Sequence, residues 1–389
     1  MIKGKSRVCN RRDNQEEVYI PPEMAGIILI FVVMALVLFG IIMLYSVTAA
    51  NMGTSMLIKQ LMWAILGIVC AVIINIAGYK KIIRIALPLI ILSCILLIAA
   101  RFSRPINGAY RWIQLPGGFG NIQPSELAKL SVILYLSYYL PKYQRFITRS
   151  FVGVFKAIFF VGITTLLVLV GMDLGTTVLI CVVIWSMLFV SGVRFRFLLP
   201  PLIIIPVLPI ILKHYSKVRW DRITSFMNPE LYEKTIGYQL WLSILAMGSG
   251  SWSGLGFSKS RMKAQYLPES HTDFILSIIG EELGYIAILA VLAGYILFFI
   301  IAMYISFKAK DKEGKILAFA IGVIVVLQAA INLGVVSGAF PTKGISAPFI
   351  SYGGSNMIIS LIFTGLLISI SRDRCEEKTK IKDNIRLGG

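Results

Sequence analysis

Residues 267–282 carry the densest chemistry in this chain. They read Leu267-Pro-Glu-Ser-His-Thr-Asp-Phe274, followed by Gly280-Glu281-Glu282 at the mouth of a long apolar run. Ionisable groups at a membrane border are costly and are functional candidates for that reason. Asp273 is the foremost. Its carboxylate could act as a general base, bind a metal or pair with a cation. It also stands where the next helix begins, and acidic residues favour that end of a helix as caps. The residues alone leave both readings open. His271 is in the same position, a proton shuttle or a structural histidine. On an ideal helix Glu281 and Glu282 point roughly 80° and 180° away from Asp273 and lie about 12 Å deeper. They are expected outside its site, with one of them paired inside the bundle.

Other polar residues cluster between apolar runs. Arg111 beside Trp112 offers an anion-binding fork next to an aromatic of the kind that anchors at interfaces. Gln123-Pro-Ser-Glu126 opens a helix, with Pro124 suited to its first position, and Lys129 three residues on can neutralise Glu126. Asp173 precedes Leu174-Gly-Thr-Thr177 at a tight turn and reads first as an N-cap. Pro341-Thr-Lys-Gly-Ile-Ser-Ala-Pro348 and Ser351-Tyr-Gly-Gly-Ser-Asn356 close the set, with Lys343 as a lone cation. The glycines from Gly248 to Gly256 are no phosphate loop, because no strand precedes them and no Gly-Lys-Ser follows.

The elements that position these residues are membrane spans. Of the 389 residues 57% are hydrophobic and 15% charged, and the mean hydropathy is +0.81. Apolar runs of spanning length occur at about 24–47, 57–77, 83–100, 125–141, 152–171, 174–191, 197–213, 273–306, 315–338 and 346–370. The fold class expected is all-α integral membrane protein with ten transmembrane helices. The eighth run is too long for one crossing, so it is expected to start above the surface or to tilt. The net charge of +19 sits in short clusters between runs, the pattern of a polytopic membrane protein and not of nucleic-acid binding. Lysine and arginine concentrate in the tails and alternate loops, which predicts both termini in the cytoplasm. The organisation expected is a cytoplasmic tail 1–23, a membrane domain 24–371 and a cytoplasmic tail 372–389. The two long connections, about 101–123 and 214–272, then lie outside the cell, the second between helices seven and eight. It holds Trp220, Trp241 and Trp252 and an amphipathic stretch, Tyr238 to Leu245, suited to an interface. Cysteines 9, 70, 94, 181 and 375 form no metal-binding or disulfide spacing.

At these motifs the chain resembles the SEDS family (shape, elongation, division and sporulation) over nearly its whole length. The resemblance rests on Asn332 through Pro341-Thr-Lys-Gly344 to Pro348-Phe-Ile-Ser-Tyr-Gly-Gly-Ser355. It rests also on Arg111-Trp-Ile113, Gln123-Pro-Ser-Glu126, Asp173-Leu-Gly-Thr176 and Leu267-Pro-Glu-x-His-Thr-Asp-Phe274, all in order. Pro-Thr-Lys-Gly looks more like the FtsW and SpoVE branch than RodA. Met172 departs from the pattern, since members usually carry proline there.

The resemblance implies ten helices, a large external loop and cytoplasmic termini in a bacterial cytoplasmic membrane. It implies a peptidoglycan glycosyltransferase that polymerises lipid II in division or sporulation, beside a class B penicillin-binding protein in a division or sporulation membrane complex. It makes Asp273 the catalytic aspartate and implies a divalent cation, Mg²⁺ or Mn²⁺, with no organic cofactor. Lipid II carries an α-linked sugar on pyrophosphate and the product bond is β-1,4, so one inversion suffices. That needs a base for the acceptor hydroxyl and cations for the departing pyrophosphate. Arg111, Lys343, Arg261 and Lys263 are the candidate pyrophosphate contacts. Trp112, Glu126, Lys129, His271 and Ser351 complete the candidate substrate-binding set. A lipid II flippase, or a scaffold that activates a partner synthase, would share much of this sequence.

Overall fold

The computed structural model describes residues 22–49, 54–103, 110–114, 120–198, 224–227, 229–232, 235, 237–265, 267–342 and 344–387. Lys343, Trp220 and all but the start of the seventh expected span lie outside these residues. The other expected runs coincide with helices. These are α1 (Pro22–Ala49), α2 (Ser55–Ala77), α3 (Tyr79–Arg84), α4 (Ala86–Arg101), α5 (Pro124–Lys142), α6 (Gln144–Arg149), α7 (Phe151–Val170) and α8 (Leu174–Val190). There follow α9 (Tyr238–Ser249), α10 (Met262–Gln265), α11 (Ile275–Lys308), α12 (Lys312–Val336) and α13 (Gly354–Leu387). Before α5, strands β1 (Ile113–Gln114) and β2 (Asn121–Ile122) form an antiparallel pair.

Among the described residues, six helices are long and apolar enough to cross a membrane: α1, α2, α7, α11, α12 and α13 up to Asp373. α4 and α8 are apolar but shorter. α5 carries Glu126 and Lys129, yet its side chains are buried almost without interruption from Pro124 to Ser137. It is a central helix, enclosed by α4, α7, α8, α12 and α13. The apolar stretch of α13 is 78% buried and that of α2, packed along it, only 17%. α13 therefore belongs to the core, while α2 exposes Ile65, Ile73 and Ile76 as a lipid-facing side chain does.

Two boundaries differ from expectation. The third run is divided at Ile85 into α3 and α4. The tenth run was expected from 346, but its helix begins at Gly354. Residues 347–351 form a turn closed by Ser351 N on Ala347 O (3.1 Å) and Ala347 N on Ser351 Oγ (2.8 Å). Gln60 of α2 clamps that turn, donating to Ser351 O and accepting from Gly353 N. The spanning part of α13 reaches Asp373, and the helix itself continues to Leu387.

α11 is broken at Gly284, where φ is 75° and ψ −176°. Such a break frees backbone groups, which in an apolar medium must find partners inside the protein. Residues 251–256 supply them. Leu255 N and Gly256 N donate to Glu281 O and Glu282 O at 2.9 Å, and Tyr285 N donates to Ser251 O at 2.9 Å. Gly250, Gly254 and Gly284 permit the approach, because a Cβ on any of them would collide with the opposing backbone. The long eighth run is thus two helical pieces joined at a filled break.

Candidate active site

Asp273 ends a turn, 268–274, immediately before α11. The cap position itself falls to Phe274, which makes no side-chain cap hydrogen bond. Asp273 stands one residue before that cap position. Glu269, at φ 56°, organises the turn: its carbonyl accepts from Thr272 N and Phe274 N, and its carboxylate from Thr272 Oγ1 at 2.9 Å. Asn332 of α12 donates to Asp273 O (2.9 Å) and to Ile345 O (2.7 Å), which ties this turn to the loop after α12.

That loop brings Gly344 between two charged groups. A Cβ on Gly344 would lie 3.0 Å from Asp273 Oδ2 and 3.5 Å from Arg111 Nη1. A carboxylate and a guanidinium far apart in sequence thus converge on one glycine. Arg111 is held from behind. Its Nη2 donates to Met172 O at 2.5 Å, and its Nη1 lies 3.7 Å from Asp173 Oδ1. Asp173 caps α8 as expected, accepting from Thr176 N and Thr176 Oγ1, and also accepts from Gln123 Nε2 and Ser125 Oγ. The motifs at 111, 123–125 and 173 are one hydrogen-bonded assembly that orients the arginine. Met172 has φ 66°, a backbone conformation closed to proline, whose ring fixes φ near about −65°. The departure noted in the sequence thus falls on a turn that proline cannot make in this shape.

His271 flanks Asp273. Its ring lies 5.7 Å from that of Tyr352, and its carbonyl accepts from Tyr352 N at 3.0 Å. Burial pushes its pKa below the usual value, and Glu269 pulls part of the way back. Trp112 is half-buried, and its carbonyl accepts from Ser103 Oγ.

Other candidates point elsewhere. Lys263, expected as a pyrophosphate contact, is buried and bonded to Glu282 Oε1 (2.7 Å), Ser46 Oγ (3.0 Å) and Ser258 Oγ (3.1 Å). Its charge is taken up by Glu282. Glu281 accepts from Ser260 Oγ and Arg261 N, so the two glutamates hold the 258–263 segment to α11. The Arg261 side chain itself is exposed. Lys129 is buried at 2.8 Å from Glu126 and donates to Gln328 at 2.7 Å. Gln328 continues to Ser346 O and Asn356 Oδ1. Glu126 and Lys129 are thereby spent within the bundle, and Ser351 is buried in the 347–351 turn. Among the described residues no three His, Cys, Asp or Glu come together as a metal cage.

Comparison with known proteins decides the family. The FtsW/RodA/SpoVE family model, described as "Cell cycle protein", matches residues 27–376. The chain belongs to the FtsW/RodA/SpoVE family. It is a multi-pass membrane protein. It is similar to the "Probable peptidoglycan glycosyltransferase FtsW" of Trichlorobacter lovleyi, 37% identical over 89% of this chain and 92% of that one. It is 41% identical to the protein of that name from Buchnera aphidicola subsp. Baizongia pistaciae, over 72% of this chain and 74% of the relative. Among solved structures, it resembles a chain of a complex described as "Structural coordination of polymerization and crosslinking by a peptidoglycan synthase complex". The TM-score is 0.74 at 26% identity, covering 89% of this chain and 97% of that chain. The rod shape determining protein RodA of Thermus thermophilus matches with a TM-score of 0.66 at 26% identity, over 89% and 96%.

Proposed function

We propose that this protein is a peptidoglycan glycosyltransferase that polymerises lipid II into β-1,4 glycan strands. The observation that carries the reading is the meeting of Asp273 and Arg111 at Gly344, in a chain whose relatives are named for that activity. The donor sugar is α-linked to pyrophosphate, so attack by the acceptor 4-hydroxyl on the anomeric carbon inverts it in one step. Asp273 takes the hydroxyl proton as the new bond forms, and the pyrophosphate leaves with the bonding pair. Arg111 faces the charge that develops on the leaving group, and Lys343 of the same loop is its proposed companion. Asp173 and the Met172 carbonyl keep Arg111 extended toward the site between turnovers. A divalent cation remains part of the proposal only as a counter-ion travelling with the pyrophosphate, since Mg²⁺ commonly binds through substrate phosphates. No step is routed through it.

The distribution of lysine and arginine supports cytoplasmic termini, with the Asp273 turn at the outer surface of the membrane. Similarity to a chain of a peptidoglycan synthase complex supports a class B penicillin-binding protein as partner. The test uses purified protein and lipid II, with and without that partner. The Asp273→Asn variant, still folded and still in the membrane, should make no polymer. Normal strand formation by it would remove the base assignment.

A further inference from the structure

We propose that Asn332 is a positioning residue for Asp273, an inference that rests on the reading just given. Asn332 lies on α12, is 1% exposed, and spends both amide hydrogens on main-chain carbonyls of two separate loops. One carbonyl belongs to Asp273 itself. The other belongs to Ile345, next to the Gly344 that separates Asp273 from Arg111. The amide orientation is fixed by chemistry, because both neighbours are acceptors and only the NH₂ end can serve them. The Asn332 oxygen has no donor partner. A buried acceptor is normally satisfied, so this side chain is placed for its two donors at the expense of its acceptor.

The geometry gives Asn332 a task that packing alone does not explain. The Asp273 turn leads into α11, and the Gly344 loop follows α12. The two approach the site on different pieces of chain, and Asn332 sets the spacing between their backbones. Reacting groups tolerate little displacement, and about 1 Å can cost on the order of 100-fold in rate. Asn332 touches no reacting atom in this scheme. It acts through the backbone that carries the base.

The experiment compares wild type, Asn332→Leu, Asn332→Ala and Asp273→Asn, each purified with its partner and assayed on lipid II. Leucine repeats the forked shape of asparagine with bulkier ends and removes both donors. The expected result for Asn332→Leu is a fall in kcat on the order of 100-fold, with KM within about twofold. Lipid II binding should stay near wild type, while the melting midpoint falls with the loss of two hydrogen bonds. A purely structural role would lower the midpoint and the folded yield in the same way but leave kcat per folded molecule unchanged. Wild-type kcat in the Leu variant overturns the inference and leaves the function standing, provided Asp273→Asn is inactive. Loss of the fold in both the Leu and Ala variants overturns it in favour of a general structural role. A wild type that makes no polymer sinks the functional reading first, and this inference with it.

Discussion

Replacing Lys263 by methionine isolates the junction that holds the first half of α11. Glu282 is fully buried and Lys263 nearly so, with 2.7 Å between Nζ and Oε1. The methionine keeps most of the aliphatic stem and deletes the charge. Glu282 retains Ser46 Oγ at 2.6 and 2.8 Å and the Ser258 and Ser260 amides at 3.0 and 3.3 Å. Breaking a buried pair from one side typically costs about 3–5 kcal/mol, because the remaining charge is left without its counter-ion. The three surviving donors place this case at the lower end, about 3 kcal/mol, a factor of about 150 in the folded-to-unfolded ratio. Removing both charges, Lys263→Met with Glu282→Gln, keeps an acceptor oxygen for the Ser46 hydroxyl and the two amides and should recover roughly half of that loss. Reversible unfolding in mixed micelles, followed by circular dichroism, measures all three proteins. A single variant that loses less than about 1 kcal/mol would show that the pair is solvated. A double variant as unstable as the single would show that packing, not charge, holds the junction.

Gly344→Ala sets a methyl 3.0 Å from Asp273 Oδ2, inside ordinary contact. The carboxylate must retreat by a few tenths of an ångström, for an expected loss of about threefold to tenfold in kcat; an unchanged polymerisation rate would refute the convergence at this glycine. Met172→Pro demands a φ of opposite sign and deletes the Met172 N donor to Leu169 O. It should cost about 3 kcal/mol or more, read as a lower melting midpoint, and an equal midpoint would disprove the left-handed turn. His271, its pKa lowered in the folded state by burial, contributes stability present above its unfolded value of about 6.5 and lost as pH falls toward the folded value. The melting-point advantage of wild type over His271→Gln should therefore shrink between about pH 7.5 and about pH 5.5; a constant difference would contradict the burial.

The spans were legible because a lipid-facing helix must be apolar over its length, and the runs of α1, α2, α7 and α12 announce this directly. α5 was legible as the run 125–141 and again from Pro124 at its start, although its charges lower its hydropathy. The N-cap role of Asp173 followed from its place before Leu174-Gly-Thr-Thr177. Other features depended on pairings that distance along the chain conceals. Lys263 read as a free cation because its partner is nineteen residues away across an irregular segment. Gly284 gave no warning, since a lone glycine inside an apolar helix is usually tolerated, and here the opposing loop determines the break. Asn332 was visible as a polar residue in an apolar run and as part of a motif, but two acceptors on separate loops cannot be read from one position. Asp273 stood between cap and base in the sequence, and the structure adds that the N-cap position of α11 falls one residue later, at Phe274.

The filled break in α11 changes what counts as a loop here. Residues 251–256 lack helix or strand, yet their amides and carbonyls complete the hydrogen bonding of two half-helices. Cutting the chain there, or inserting a tag, would open a transmembrane helix and not merely lengthen a connector. The segment is a splice with a hold on both sides of the break. It grips the piece before Gly284 through the Glu281 and Glu282 carbonyls and carboxylates, and the piece after it through the Tyr285 amide. A displacement of residues 251–256 is therefore felt by both half-helices at once, the shorter of which leads in about two turns to the Asp273 turn.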